Sequence, residues 1–219
     1  MKESTCERPL LDLEDLLRDK SLRVIGVVGD KNTGKSGLLY NMIRIIKKLA
    51  PMTQIVAFRL NKKIDGVLHL NTLLELSKIR DSFIIMDELK TIVDTDNRKE
   101  TQTFLEILQT LYHSNNTIVV SGLAHNYNGK ISGELEAIVF TQTTLISVIK
   151  RSNLDYILRP LRHEGQASKN EYALTMPIGG ALIYHPHMAK SWHYITIPYV
   201  AEDDTKKDNQ PVIKWKEGK

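Results

Sequence analysis

The feature that constrains this sequence most is a short loop with two glycines, placed between an apolar strand and an amphipathic helix. The run Arg23–Val28, RVIGVV, is apolar and has the length of a buried strand. The loop Gly29–Ser36, GDKNTGKS, follows it directly and matches G-x-x-x-x-G-K-[ST] at every fixed position. The segment Ser36–Ala50 then repeats apolar residues on one helical face and stops before Pro51. This order of strand, loop and helix predicts a layered α/β fold.

The chain continues to alternate between strand and helix patterns through about residue 127. The predicted strands are Gln54–Phe58, Ser82–Met86 and Thr117–Val120. The predicted helices run from Thr72 to about Ile79 and over Arg98–Ser114. Further strand patterns follow at Ala137–Phe140, in part of Leu145–Ile149, and in a closing hairpin formed by Ala181–Tyr184 and His193–Ile197. Strands that alternate with helices favour a parallel sheet covered on both faces.

The Gly29–Ser36 loop has the chemistry of a phosphate site. Gly29 and Gly34 permit backbone angles that aim several N–H groups inward, and the next helix points its positive end at the same place. Lys35 is expected to reach the β- and γ-phosphates of ATP, and the Ser36 hydroxyl is expected to bind Mg²⁺. The predicted nucleotide-binding residues are Gly29, Asp30, Lys31, Asn32, Thr33, Gly34, Lys35, Ser36 and Gly37.

Two carboxylates follow the predicted strand Ser82–Met86 without a break. Asp87 is expected to hold Mg²⁺ directly or through water, and Glu88 is expected to act as the general base that activates water. Ser121 follows the next predicted strand, where a polar side chain can sense the γ-phosphate; a simple turn is the alternative. Lys35, Asp87 and Glu88 are thus the predicted catalytic residues of an ATP-hydrolysing enzyme.

The loop GDKNTGKS, the strand FIIMDE, the helix Arg98–Ser114 and the strand TIVVSG together resemble the FtsK–HerA superfamily of DNA-pumping ATPases. The resemblance covers about Arg23–Pro198, and the order of the parts is similar to that of small viral genome-packaging ATPases. It implies an α/β, RecA-like P-loop NTPase fold with a mostly parallel central sheet between helices and a small C-terminal antiparallel extension. It also implies a homo-oligomeric ring that moves double-stranded DNA, with capsid or portal proteins as further partners.

The sequence departs from that superfamily at two points. Many members end the sensor strand with a glutamine, whereas Ser121–Leu123 stands there in this chain. An arginine often precedes that strand, whereas Tyr112–His113 stands there. Arg98 and Arg151 are the remaining candidates for an arginine that contacts the γ-phosphate on a neighbouring subunit, and each is also consistent with a solvated surface arginine.

Two other functions are consistent with parts of the sequence. Gly122, Tyr127 and the segment Ile178–Tyr184 resemble motifs of type II thymidine kinases, in which a tyrosine of the second motif contacts the base. The four zinc cysteines of those kinases are absent, and Leu89–Thr91 replaces the residues that usually follow their acidic pair. A nucleotide-dependent switch that binds a partner and turns over slowly is the non-enzymatic alternative.

Length and composition are those of one ordinary globular domain. We expect a P-loop ATPase domain over residues 22–200, a helical extension over residues 1–21 and a charged tail over residues 201–219. The apolar runs are shorter than the roughly 18–20 residues that a membrane span needs, and the N-terminus lacks a signal-peptide pattern. Cys6 is the only cysteine among 219 residues, which fits a reducing cytoplasm, here a host cytoplasm or a virion.

The net charge of +4 is compatible with a polyanionic partner. If the chain moves DNA, some lysines should follow the phosphate backbone and make binding sensitive to salt. Lys62, Lys63 and Lys90 are the candidates, because they lie in predicted loops.

Overall fold

The fold is a single mixed sheet with helices on both faces. The computed structural model describes residues 9–141, 180–184 and 192–196. The strands are β1 (Val24–Val28), β2 (Gln54–Phe58), β3 (Leu68–Leu70), β4 (Ser82–Met86), β5 (Thr117–Gly122), β6 (Ala137–Thr141), β7 (Gly180–Tyr184) and β8 (Trp192–Thr196). The helices are α1 (Pro9–Arg18), α2 (Lys35–Leu49), α3 (Leu73–Leu76), α4 (Leu89–Ile92), α5 (Arg98–His113) and α6 (Gly129–Gly133).

The eight strands lie in the order β3-β2-β4-β5-β1-β6-β7-β8. The first six are parallel, so their carboxyl ends meet at one edge of the sheet. The β6–β7 and β7–β8 pairs are antiparallel and form the predicted C-terminal extension. One strand, β5, lies between β1 and β4, so the loop after β1 and the acids after β4 are separated by the width of one strand.

Two apolar layers cover the sheet because its strands are buried on both sides. Val24 and Val28 of β1 face a core shared with α3–α6, whereas Ile25 and Val27 face a second core shared with α1 and α2. Leu16 of α1 is completely buried in that second core. Burying a leucine contributes roughly 1.5–3 kcal/mol, so α1 adds to the stability of the sheet that carries the loops.

Most predicted elements are present, and several short ones were missed. The structure confirms Gln54–Phe58 and Ser82–Met86 with their bounds, and it confirms the C-terminal hairpin. The helix predicted from Thr72 ends earlier, at Leu76, although Thr72 does accept a hydrogen bond from the Glu75 N–H at 3.3 Å. The strand β3 and the helices α4 and α6 have five residues or fewer, which is too short for a periodic signal.

Some predictions fall on residues that the structure leaves undescribed. The strand predicted in Leu145–Ile149 and the charged tail over residues 201–219 lie outside the described residues. Within the described part of the chain, no helix is long and apolar enough to cross a membrane.

Candidate nucleotide-binding site

The candidate site is built from segments that follow β1, β4, β5 and β6 at the carboxyl edge of the sheet. The Gly29–Ser36 loop follows β1, the acidic pair follows β4, and Ser121 lies near the end of β5. Thr141 is the last residue of β6, beside the same loop. The strand order, rather than proximity in sequence, therefore brings these residues together.

Two residues of the loop have left-handed backbone angles that turn the chain into α2. Gly34, the residue that precedes α2, has φ 85° and ψ 12°, and Asn32 has φ 60°. No side chain caps the first turn of α2, so its N–H groups lack the side-chain acceptor that usually satisfies them. A phosphate is the kind of anion that such a helix N-terminus binds.

Gly29 serves a different purpose from the one expected. Its φ is not positive, so conformational freedom does not explain the glycine. A Cβ at this position would lie 1.9 Å from the Thr141 hydroxyl oxygen and 2.6 Å from that of Thr33. Gly29 is therefore required because two neighbouring side chains occupy the space of a Cβ.

The Lys35 ammonium group lies inside the loop and is held by the loop backbone. It donates hydrogen bonds to the carbonyl oxygens of Gly29 at 3.0 Å and Asp30 at 2.8 Å. Burial lowers the pKa of Lys35, and the negative charges of Glu88, Asp87 and Asp30 partly oppose that shift. The lysine is thus a desolvated cation that faces the acidic pair.

Asp87 and Glu88 are both bonded to Ser121. Asp87 is only 6% exposed, and its Oδ1 accepts a hydrogen bond from the Ser121 hydroxyl at 2.6 Å. The same hydroxyl oxygen accepts the Glu88 N–H at 3.1 Å. A serine hydroxyl has one proton, which Ser121 donates to Asp87, and one of its oxygen lone pairs accepts the Glu88 N–H. Ser121 is fully buried. Among the described residues, the hydrogen bonds of its hydroxyl are those with Asp87 and with the Glu88 N–H.

Glu88 has an unusual backbone conformation, with φ 59° and ψ 79°. A strained backbone conformation of this kind at a non-glycine residue costs about 1–3 kcal/mol of conformational free energy. Such residues concentrate at functional sites. The Ser121 bond to its N–H and the start of α4 hold Glu88 in this conformation. The turn directs the chain away from the strand immediately after Asp87.

The residues present fit an Mg²⁺–nucleotide. Ser36 and Asp87 offer a hydroxyl and a carboxylate, which are the oxygen ligands that Mg²⁺ prefers. The uncapped first turn of α2 and the Lys35 ammonium group offer positive potential for phosphates. The metal ligands and the phosphate-binding groups belong to the Gly29–Ser36 loop, to the start of α2 and to the residue that follows β4.

Tyr40 is a site neighbour that the sequence did not single out. It lies in α2 one turn after Ser36 and is 6% exposed. Burial and the nearby negative charge of Asp87 raise the pKa of Tyr40 to about 12. The Lys62 ammonium group lies 6.0 Å from the centre of the Tyr40 ring. Lys62 lies on the loop that follows β2 and is half-buried. Its contact with Tyr40 places it near the site.

Three of the other predicted contact residues are exposed, and the fourth is not described by the structure. Lys63 is exposed on the same loop as Lys62, and Lys90 is exposed in α4 rather than in the predicted loop. Arg98 is exposed at the start of α5. Arg151 lies outside the described residues.

The tyrosines that resembled a kinase motif are structural in this fold. The Tyr127 hydroxyl lies in the core, where carbonyl oxygens of Val120 at 2.7 Å and Val27 at 3.3 Å are within hydrogen-bonding distance. It therefore connects β5 to β1 from a fully buried position. Tyr184 ends β7 and packs partly buried against the core.

Comparisons with known proteins give similarity in structure and not in sequence. No protein-family model matches the sequence. No curated protein matches it either.

Among solved structures, the chain is similar to the DNA-packaging ATPase B204 from Sulfolobus turreted icosahedral virus, with TM-score 0.57 and 13% identity over 81% of this chain and 98% of that one. B204 from Sulfolobus turreted icosahedral virus 2 in complex with AMPPCP gives TM-score 0.55 and 15% identity over 83% and 100% of the two chains. The chain has the fold of these viral ATPases.

The cytoplasmic domain of the type VII secretion ATPase EccC from Thermomonospora curvata has the same fold over a smaller share of its length. It gives TM-score 0.50 and 12% identity over 83% of this chain and 24% of that one. The predicted likeness to ATPases of this kind is therefore confirmed as a likeness of fold.

Proposed function

We propose that this chain hydrolyses ATP in the presence of Mg²⁺. The observation that carries the proposal is the pair Asp87 and Glu88, bonded to Ser121 and facing the Lys35 ammonium group across one strand. A cation, a buried carboxylate and a second, half-exposed carboxylate are the groups that phosphoryl transfer to water needs. The solved structures of similar fold include one with the ATP analogue AMPPCP bound.

In this proposal each residue has one task. The first-turn N–H groups of α2 and the Lys35 ammonium group bind and orient the phosphates. Ser36 and Asp87 would hold Mg²⁺, which neutralises charge on the phosphate oxygens. Glu88 accepts a proton from the attacking water, and its position is set by Ser121. Catalysis then depends on positioning and charge stabilisation rather than on a covalent intermediate.

We further propose that hydrolysis drives the movement of double-stranded DNA during genome packaging by a homo-oligomeric ring. The fold shared with the B204 packaging ATPases and the net charge of +4 support this proposal. Lys62, Lys63 and Lys90 also lie on segments after β2 and β4, at the same edge of the sheet as Asp87. A phosphate backbone held there would contact segments that adjoin the nucleotide site. Capsid or portal proteins would be the further partners of such a ring.

The test is steady-state ATP hydrolysis with no addition, with long double-stranded DNA, and with thymidine. Several-fold stimulation by DNA that disappears at high salt is the expected result. Turnover that requires thymidine instead of DNA would replace this proposal with a nucleoside kinase. Tight nucleotide binding with slow turnover under all three conditions would favour a switch.

A further inference from the structure

A buried threonine pair connects β6 to the loop Gly29–Ser36. Thr141, at the end of β6, and Thr33, in the loop, have their hydroxyl oxygens 2.5 Å apart. Thr141 is 1% exposed and Thr33 is 9% exposed, so water does not compete for this contact. Neither the spacing nor the motif in the sequence links the two residues.

The protons on these hydroxyls can be assigned by counting. The Thr33 hydroxyl donates its one proton to the carbonyl oxygen of Asp30 at 2.8 Å. With the Thr33 proton on Asp30, Thr141 is the donor in the contact between the two hydroxyls, and this contact is much shorter than the 3.5 Å from Thr141 to the carbonyl oxygen of Val28. The result is a directed chain of hydrogen bonds from Thr141 through Thr33 to the Asp30 carbonyl.

That carbonyl also accepts a hydrogen bond from the Lys35 ammonium group at 2.8 Å. The chain of hydrogen bonds therefore ends at a carbonyl oxygen that also binds the lysine proposed to contact the phosphates. The same Thr141 hydroxyl occupies the space that any Cβ on Gly29 would need. Two consequences follow: Thr141 anchors the loop backbone, and it makes glycine obligatory at the first position of the motif.

We infer that Thr141 is a positioning residue that keeps the phosphate loop in its binding-competent conformation before nucleotide arrives. The inference rests on the proposed function in assuming that the nucleotide occupies this loop. Only the molecules whose loop is in the competent conformation bind nucleotide. Loss of the anchor lowers the fraction of such molecules, and the apparent Kd rises in inverse proportion to that fraction. The phosphates themselves hold the loop after binding, so the turnover number should change little.

The experiment compares Thr141→Ala with Thr141→Ser in the full chain. Both shorten the side chain, but only serine retains the hydroxyl that donates to Thr33. We expect Thr141→Ala to raise the Kd for Mg·ADP, measured by calorimetry, and the KM for ATP by roughly 3- to 10-fold, the effect of one hydrogen bond. We expect kcat to stay within about twofold and Thr141→Ser to bind as the wild type does.

Two further variants separate positioning from general stability. Thr101→Ala removes the hydroxyl of another buried threonine, bonded to Thr95 and Asn128, and should lower the melting temperature without changing the Kd for ADP. Thr33→Val should weaken binding, and adding Thr141→Ala to it should weaken binding no further, because the two hydroxyls act in one chain.

The outcomes are distinct. Equal ADP affinity in Thr141→Ala and Thr141→Ser, or weaker ADP binding in Thr101→Ala to the same degree, overturns the role of Thr141. Wild-type protein that binds ADP but does not hydrolyse ATP overturns the proposed function alone. Wild-type protein that binds no nucleotide overturns both.

Discussion

At the scale of single residues, the roles of Lys35 and Glu88 can be separated by experiment. We expect Glu88→Gln to bind ATP and to hydrolyse it about 10²- to 10⁴-fold more slowly, because glutamine has similar shape but cannot accept the proton. Lys35→Ala should lose nucleotide binding, because it removes the cation that faces the phosphates. Steady-state hydrolysis and calorimetric binding are the measurements. Normal turnover in Glu88→Gln would show that another group is the base.

Ser121 can act as a positioning residue or as a sensor of the γ-phosphate, and these roles predict different results. Its hydroxyl contacts Asp87 and the Glu88 N–H. We therefore expect Ser121→Ala to raise the Mg²⁺ concentration needed for half-maximal binding of both ADP and ATP, and to lower kcat by about tenfold or more, the cost of removing a partner from a charged group. A loss confined to ATP, with ADP binding unchanged at every Mg²⁺ concentration, would favour the sensor.

Roles that depend on neighbours in sequence were predictable, and contacts made across strands were not: Ser121 was a candidate site residue, but its bonds to Asp87 and Glu88 were not predicted. The left-handed Gly34 and the helix after it follow from a local motif, as does the position of Asp87 at the end of its strand. Thr141 and Ser121 contact the loop and the acids only because β6 and β5 flank β1. Strand order depends on the packing of the whole sheet, which no short segment encodes.

At the scale of elements, the long helices and the buried strands were predictable because their apolar periodicity extends over enough residues. The prediction of Arg98–Ser114 differs from α5 by one residue. Short elements carry no such signal: α4 follows the strained Glu88 turn, and β3 pairs with β2 over three residues. Tertiary contacts rather than local propensity determine these segments.

The loop between β2 and β3 provides a prediction about pH. His69 of β3 accepts a hydrogen bond from the Ile64 N–H at its Nε2 atom, at 3.0 Å. Burial, and secondarily the positive charge of Lys63, lowers the pKa of His69. An unfolded histidine has a pKa of about 6.5, so below that value the unfolded chain binds more protons at this position than the folded chain. The contribution of His69 to stability is therefore present above about pH 6.5 and is lost as the pH falls through the lowered folded value.

The measurement is the free energy of unfolding in urea for the wild type and His69→Gln, at about pH 7.5 and about pH 5.5. Glutamine does not titrate and retains an acceptor oxygen. We expect the wild type to lose more stability than the variant between the two pH values, while all other histidines affect both proteins equally. An identical loss in both proteins would show that the Ile64–His69 hydrogen bond is insensitive to protonation.

At the scale of the whole molecule, the candidate nucleotide site and the lysines proposed to contact DNA lie at the same edge of the sheet. The Gly29–Ser36 loop, the acidic pair and the segments with Lys62, Lys63 and Lys90 all lie at the carboxyl edge. Lys78 is exposed just before β4, at the amino edge of the same sheet. If DNA binds where its movement can be coupled to hydrolysis, the lysines of the carboxyl edge should contribute to affinity and Lys78 should not.

The salt dependence of DNA binding tests this placement. Removing one lysine–phosphate interaction should reduce the slope of log K against log salt by about 0.9 for double-stranded DNA. We expect Lys63→Gln combined with Lys90→Gln to weaken DNA binding independently of DNA sequence and to reduce the slope by roughly 1–2. Lys78→Gln removes one such charge from the amino edge and serves as the matched control for each single variant, Lys63→Gln and Lys90→Gln.

DNA-stimulated ATP hydrolysis tests whether this contact matters for the proposed motor. The Lys63→Gln/Lys90→Gln variant should retain its basal hydrolysis, because neither side chain is assigned to the nucleotide, and should lose most of its stimulation by DNA. A Lys78→Gln control whose slope changes as much as that of either single variant would mean that net charge alone governs DNA binding. An unchanged slope with full stimulation in the double variant would exclude these two lysines as DNA contacts. The DNA would then have to bind another surface. Coupling between DNA movement and ATP hydrolysis would have to pass through the sheet instead of through contacts along its carboxyl edge.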